Sequence, residues 1–254
     1  MAEAFHGSHL KVQRANKHIA DIHQMLLAFA DSDFYSARIE HNSERRTNFL
    51  RFDVDTSRFP VEDISLTIGD AVQNLRSALD HMWYETIIAC GGKPTFWTNF
   101  PIRNAGDSLA NSLNEALKKK QITIEIIELM MGIKPYQGGN TAIWGLDQLS
   151  DADKHQMLVP VLKLMGFHDV RLEDDQHRMI GKSAYIMDES SRIRLFDADD
   201  LTVTVKNKGH ATITVLFDEG TIFWGEAVAP TLKRVSEEVE RVIEAFSRLL
   251  TGKP

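Results

Sequence analysis

The sequence predicts an α+β protein: a helical bundle with an N-terminal β-hairpin and an inserted C-terminal antiparallel β-sheet. Three observations predict it. Apolar residues recur at steps of three and four near both ends of the chain, the pattern of a helix with one buried stripe. Residues 35–55 read as two strands around a polar turn. From residue 168 to 225 the pattern changes to alternation and to runs of β-branched residues. Residues 1–254 are therefore expected to form a single domain. Its bundle takes 8–165 and 228–251, with a hairpin at 35–55 and a β insertion at 168–225.

In chain order, Val12, Ala15, Ile19, Ile22, Leu26 and Phe29 set the stripe of a helix over Leu10–Phe29, which "DSD" at 31–33 ends. "YSARIEH" and "TNFLRFDVD" flank the turn "NSERR". In the second strand Leu50, Phe52 and Val54 share the face expected to be buried, and Phe49 points the other way. Pro60 suits a helix start, and Glu62 and Asp63 lie where the helix dipole favours acids. Ile64–Ala89 follows as the longest helix, stopped by Gly91-Gly92. Further helices are expected over Ala105–Lys120, Ile122–Met131 and Thr141–Met165, the last broken near Ser150 and bent near Pro160. "SRIRLF", "LTVTVKN" and "HATITVLF" read as strands, with "NKG" a tight turn between the last two. Leu232, Val235, Val239, Val242, Phe246 and Leu249 give the closing helix a seam like that of the first. The two helices can pack side by side or against Ile64–Ala89.

The composition excludes several function classes. A formal charge of -7 argues against a basic surface that clamps nucleic acid throughout, so any such contact needs a local patch. Lys118-Lys119-Lys120 is one basic run, read as a solvated helix end. The single cysteine, Cys90, cannot form an intrachain disulfide, and its place at a helix end suits a small buried hydrophobe. The opening "MAEAFHGSHLKVQR" has no apolar run, so no secretory signal is expected. No apolar stretch reaches about 18 residues, so neither a membrane span nor a membrane partner is expected and a cytoplasmic location follows. Trp83, Tyr84, Trp97, Trp144 and Trp224 read as core or interface residues.

The densest polar set lies within "GDAVQNLRSALDHMWYE", Gly69–Glu85. Ile68, Ala71, Val72, Leu75, Leu79 and Met82 form the apolar stripe of this helix. With Leu75 as zero, Arg76 and Asp80 fall at about +100° and +140°, and Asn74 and His81 at about -100° and -120°. The polar residues thus form two clusters, one on each border of the stripe. Arg76 and Asp80 make an i, i+4 ion pair. Asn74 and His81, joined by Ser77, occupy the other border.

"RSALDH" places four residues between Arg76 and His81 and resembles the Arg-x(4–6)-His motif of the HEPN superfamily, helical-bundle proteins that include metal-independent ribonucleases. The resemblance implies a homodimer with a composite site near its interface and RNA as a partner. It implies that Arg76 contacts the scissile phosphate and that His81 handles protons, with the RNA 2′-hydroxyl as nucleophile and no cofactor. The residue after the Arg, often Asn, Asp or His in active members, is Ser77 here. The strings "GDAVQNLRSALDH" and "LDQLSDADKH" also resemble a group of uncharacterised bacterial proteins.

A second cluster lies in "LSDADKHQML". Ser150 and Asp153 resemble a capping box, and the dipole accounts for Asp151 and Asp153. Lys154 and His155 are unexplained at a helix N-terminus, where with the free N–H groups they could receive a phosphate. Asp80, His81, Asp153 and His155 are metal-ligand types, but their spacing matches no metal motif, and no metal is expected. The function expected first is RNA binding or cleavage at Arg76 and His81, with Asn74, Ser77, Asp80, Lys154 and His155 as binding residues. The alternative is a non-catalytic HEPN-like module for dimerisation or partner binding. A third reading is a small-molecule sensor.

Overall fold

The computed structural model describes residues 4–42, 47–176, 178–186, 192–194 and 203–252. Residues 43–46 of the expected turn, and 191, 195, 196, 201 and 202 of the expected strands, lie outside them. Among the described residues the α+β class holds, with six helices and seven strands in two compact units. The helical unit takes Met1–Ile22, Glu62–Pro160 and Phe217–Pro254; the β unit takes His23–Val61 and Val161–Leu216. The hairpin therefore groups with the later strands and not with the bundle.

The helices are α1 (His6–Ala30), α2 (Val61–Ala89), α3 (Gly106–Lys118), α4 (Ile124–Ile133), α5 (Thr141–His155) and α6 (Val228–Thr251). The matching seams of the first and last helices are both buried, except for Leu249 near the end of α6. The two helices meet in the helical unit, where the Ser236 hydroxyl donates to Asn16 Oδ1 at 2.8 Å. The whole expected stripe of α2, from Ile68 to Met82, is buried as well. Glu62 and Asp63 occupy its first turn. At its other end the Gly91 and Gly92 N–H groups donate to the carbonyls of Ile88 and Ile87, each at 2.9 Å. This double closure needs a left-handed residue, and Gly91 has φ 80°.

Three expectations about α5 are corrected. It ends at His155 and not near Met165, and it is not broken at Ser150. Pro160 opens a strand instead of bending a helix. Proline lacks an N–H for a helix interior but is tolerated as the first residue of a strand.

In the β unit, β1 (Tyr35–Asn42) and β2 (Thr47–Val54) pair antiparallel from Tyr35–Val54 to Asn42–Thr47. β5 (Arg192–Arg194) adds to the free edge of β2. The second sheet centres on β3 (Pro160–Glu173), paired with β4 (Met179–Ile186), β6 (Thr204–Asn207) and β7 (His210–Phe217). Leu50 and Phe52 are buried as expected, whereas Val54, at the end of its strand, is exposed. The core of this unit gathers Phe29, Tyr35, Leu50, Phe52, Phe167 and Leu172.

The "NKG" turn also differs from expectation. It does not fold β6 back on β7, because both strands pair with β3. Gly209 is a kink between them, with φ 78° and its N–H bonded to Asn207 Oδ1 at 2.8 Å. A Cβ here would collide with the His168 carbonyl. Gly209→Ala combines a strained φ with overpacking against backbone, and is expected to destabilise the protein by about 2–3 kcal/mol. Urea unfolding measures the shift, and an unchanged midpoint would contradict the close approach.

Candidate functional site

α2 presents its two polar borders to different surroundings, as the wheel requires. Arg76 is 13% exposed at its side chain and is bonded on three sides. Nε donates to Asp147 Oδ1 at 3.0 Å, one terminal nitrogen to Asp80 Oδ1, and the other to the Phe100 carbonyl at 3.2 Å. Asp80 Oδ1 in turn accepts the Phe100 N–H at 2.8 Å. The ion pair thus grips both backbone polar groups of Phe100. The Phe100 ring is buried and meets Trp83 edge to face at 5.9 Å.

This clamp fixes one end of the loop that joins α2 to α3. The other end is fixed by the Gly91-Gly92 closure. Between them Thr95 N–H bonds Thr98 Oγ1 at 2.8 Å, a tight turn that projects the intervening residues. Phe96 is 91% exposed and Trp97 81% exposed, and their rings stand edge to face at 5.3 Å.

On the second border, Asn74 Nδ2 returns to the Asp70 carbonyl of its own helix at 2.8 Å. Ser77 is half-buried and His81 is exposed. His81 lies beside the first turn of α1: a Cβ on Gly7 would stand 3.4 Å from its Nδ1. Nearby, Glu85 accepts the Phe5 N–H at 3.1 Å, a carboxylate set at the donor end of α1. A pocket of about 350 Å³ opens here, lined by Asp80, His81, Tyr84, Glu85 and Thr98. Arg76 is not among its lining residues. Among the described residues, Arg76 and His81 do not share this pocket.

The second cluster is corrected. Ser150 and Asp153 are not a capping box, because they lie in the C-terminal half of α5. Ser150 is buried and donates to Gln73 Oε1 at 3.2 Å, while Gln73 Nε2 donates to the Ser150 carbonyl at 3.1 Å and to Asp153 at 3.0 Å. These bonds latch α5 to α2. Lys154 and His155 fall in the last turn of α5, the carbonyl end, where the dipole favours cations. The phosphate seat expected from free N–H groups is not formed there. Lys154 pairs instead with Asp151 at 2.9 Å on the surface.

Of the five aromatic residues singled out, Trp83 is core, whereas Tyr84, Trp97 and Trp224 are exposed. Burial pushes the Cys90 thiol above its ordinary pKa, which disfavours the thiolate. Among the described residues, no group of three or more His, Cys, Asp or Glu is placed to hold a metal ion. No helix among them is long and apolar enough to cross a membrane. Sequence reasoning missed Asp147 and Phe100. Asp147 has no sequence partner on its own helix, and a backbone carbonyl carries no sequence signature. No family model, no curated protein and no solved structure matches the chain.

Proposed function

We propose that the chain is a non-catalytic interaction module that pairs with a second copy of itself. The carrying observation is the clamp. The arginine of the HEPN-like motif lies between two carboxylates and holds a loop whose tip puts Phe96 and Trp97 into solvent. A guanidinium so neutralised has little attraction left for a phosphate. Large exposed aromatics are expensive to leave in water and are common anchors of interfaces.

The same face supplies both halves of a contact. Thr98, two residues from Phe96, lines the pocket that also includes His81 and Tyr84. A protruding aromatic beside a pocket on one face suits an isologous pair, in which each copy offers both. Exposed Tyr84 and Ile88 extend that face along α2. In this reading His81 is a rim residue of the pairing surface and RNA cleavage is absent.

Light scattering on a sizing column tests the pairing. The wild type is expected as a dimer at micromolar concentration, and Phe96→Ser as a folded monomer. A monomeric wild type sinks the proposal. Incubation with mixed RNA in EDTA tests the other half: cleavage that is present in the wild type and lost in His81→Ala would establish the ribonuclease reading instead.

A further inference from the structure

A second pocket, of about 400 Å³, is lined by α2, α3 and the loop that joins them. Its floor is apolar, from Trp83, Ile87 and Leu113, and Trp97 stands at its rim. Its charged lining is Arg103, Lys119 and Glu115. We propose that this pocket binds a small planar anion, an aromatic ring carrying a carboxylate or a phosphate.

The argument starts from Arg103. Its side-chain bonds go to neutral acceptors, the Ile102 carbonyl at 2.8 Å and the Ser112 hydroxyl at 3.0 Å. Among the described residues no carboxylate forms an ion pair with it. Arg76, the other half-buried arginine of this region, is paired with two. A half-buried cation without a counter-ion attracts an anion more strongly than an exposed one, because less water competes. Arg103 is also held still. Its N–H donates to the Pro135 carbonyl at 3.0 Å, and its own carbonyl accepts the Gln137 N–H at 3.3 Å. A fork fixed at its backbone and at Ser112 loses little entropy when it binds a carboxylate or phosphate.

The rest of the lining supports the same ligand. Glu115 does not cancel Arg103, because Lys118 engages it at 2.7 Å and holds its carboxyl below the ordinary range. Lys119 adds a second cation on the wall. Trp83 puts an aromatic side chain into the apolar floor, where a planar ligand can pack against it. The volume sits near the lower end of small-molecule sites, enough for one ring system and its charged group. The site shares Trp97 with the proposed pairing face but does not depend on pairing.

Isothermal titration of the full chain with 1-naphthoate and with 1-naphthyl phosphate tests the proposal and separates the two anion types. The controls are 1-naphthylmethanol, a ring without charge, and acetate and inorganic phosphate, charges without a ring. At least one ring anion is expected to bind measurably tighter than every control. Arg103→Gln is expected to weaken it about tenfold or more, the loss of a charge-assisted fork. Lys119→Gln, at an exposed helix end where folding is not at risk, is expected to weaken it by a smaller factor and to flatten its salt dependence. The proposal is overturned if neither ring anion outperforms the controls, or if Arg103→Gln and Lys119→Gln both keep wild-type affinity.

Discussion

Arg76→Ala is expected to destabilise the protein by about 2–4 kcal/mol, between the cost of one charged hydrogen bond and that of a broken buried ion pair. The substitution removes three donors at once. It leaves Asp80 and Asp147 facing each other's field without the cation between them, and the Phe100 carbonyl without its donor. Both carboxylates keep partial contact with water, at 27% and 23% side-chain exposure, which holds the effect below that of a fully buried pair. For a chain of this size the loss corresponds to a melting temperature lower by about 5–10 °C. Calorimetry measures it, and hydrogen exchange at the Phe100 amide gives the local readout, because that N–H loses an oriented acceptor. Arg76→Lys keeps one charge but not the three-way fork, and should recover less than half of the loss. The prediction also separates two views of the motif. A catalytic arginine held ready for substrate can often be removed at no cost in stability. An Arg76→Ala variant that melts with the wild type would return Arg76 to the catalytic reading.

The legible parts of this fold are those where one local signal decides. The stripes of α1, α2 and α6 are read directly because a helix with one buried face has few alternatives. The end of α2 follows from Gly91, since the backbone there needs a left-handed residue. Where tertiary partners decide, the same signals mislead. Ser150 followed by Asp153 looks like a helix start, yet both side chains answer to Gln73 on another helix. The local signal therefore inverts the polarity of that helix end and gives Lys154 and His155 a phosphate role that their carbonyl-end position does not support. "NKG" has the residues of a hairpin turn, yet β3 is long enough to take β6 and β7 in succession, so Gly209 serves as a kink. The site was legible in part. The Arg76–Asp80 pair follows from i, i+4 spacing. Its third and fourth members, Asp147 and the Phe100 backbone, lie on other segments. Without them the pair reads as a surface salt bridge and not as the anchor of a loop.

Phe167→Ala carries the largest expected loss in the β unit, about 3–5 kcal/mol, the usual range for deleting a fully buried ring. Phe167 stacks on Phe52 at 3.8 Å with the rings 7° from parallel, and on its other side meets Tyr35 at 4.7 Å. Phe52 belongs to β2 and Phe167 to β3, so this ring joins the hairpin to the second sheet. The neighbours cannot collapse easily into the vacancy. Tyr35 is tied at its hydroxyl, which donates to the Gly209 carbonyl at 2.5 Å, and Phe52 sits in β2 opposite Ala37, one residue beyond the stretch that β5 pairs. A cavity that cannot close costs the lost dispersion contacts in addition to the transfer energy. Phe167→Leu restores most of the volume and is expected to cost under about 1.5 kcal/mol. Urea unfolding of the two variants gives the comparison, and the difference between them isolates the cavity from the loss of ring stacking. A loss under 1 kcal/mol for Phe167→Ala would mean that the hairpin does not draw its stability from β3, and that its own pairing suffices.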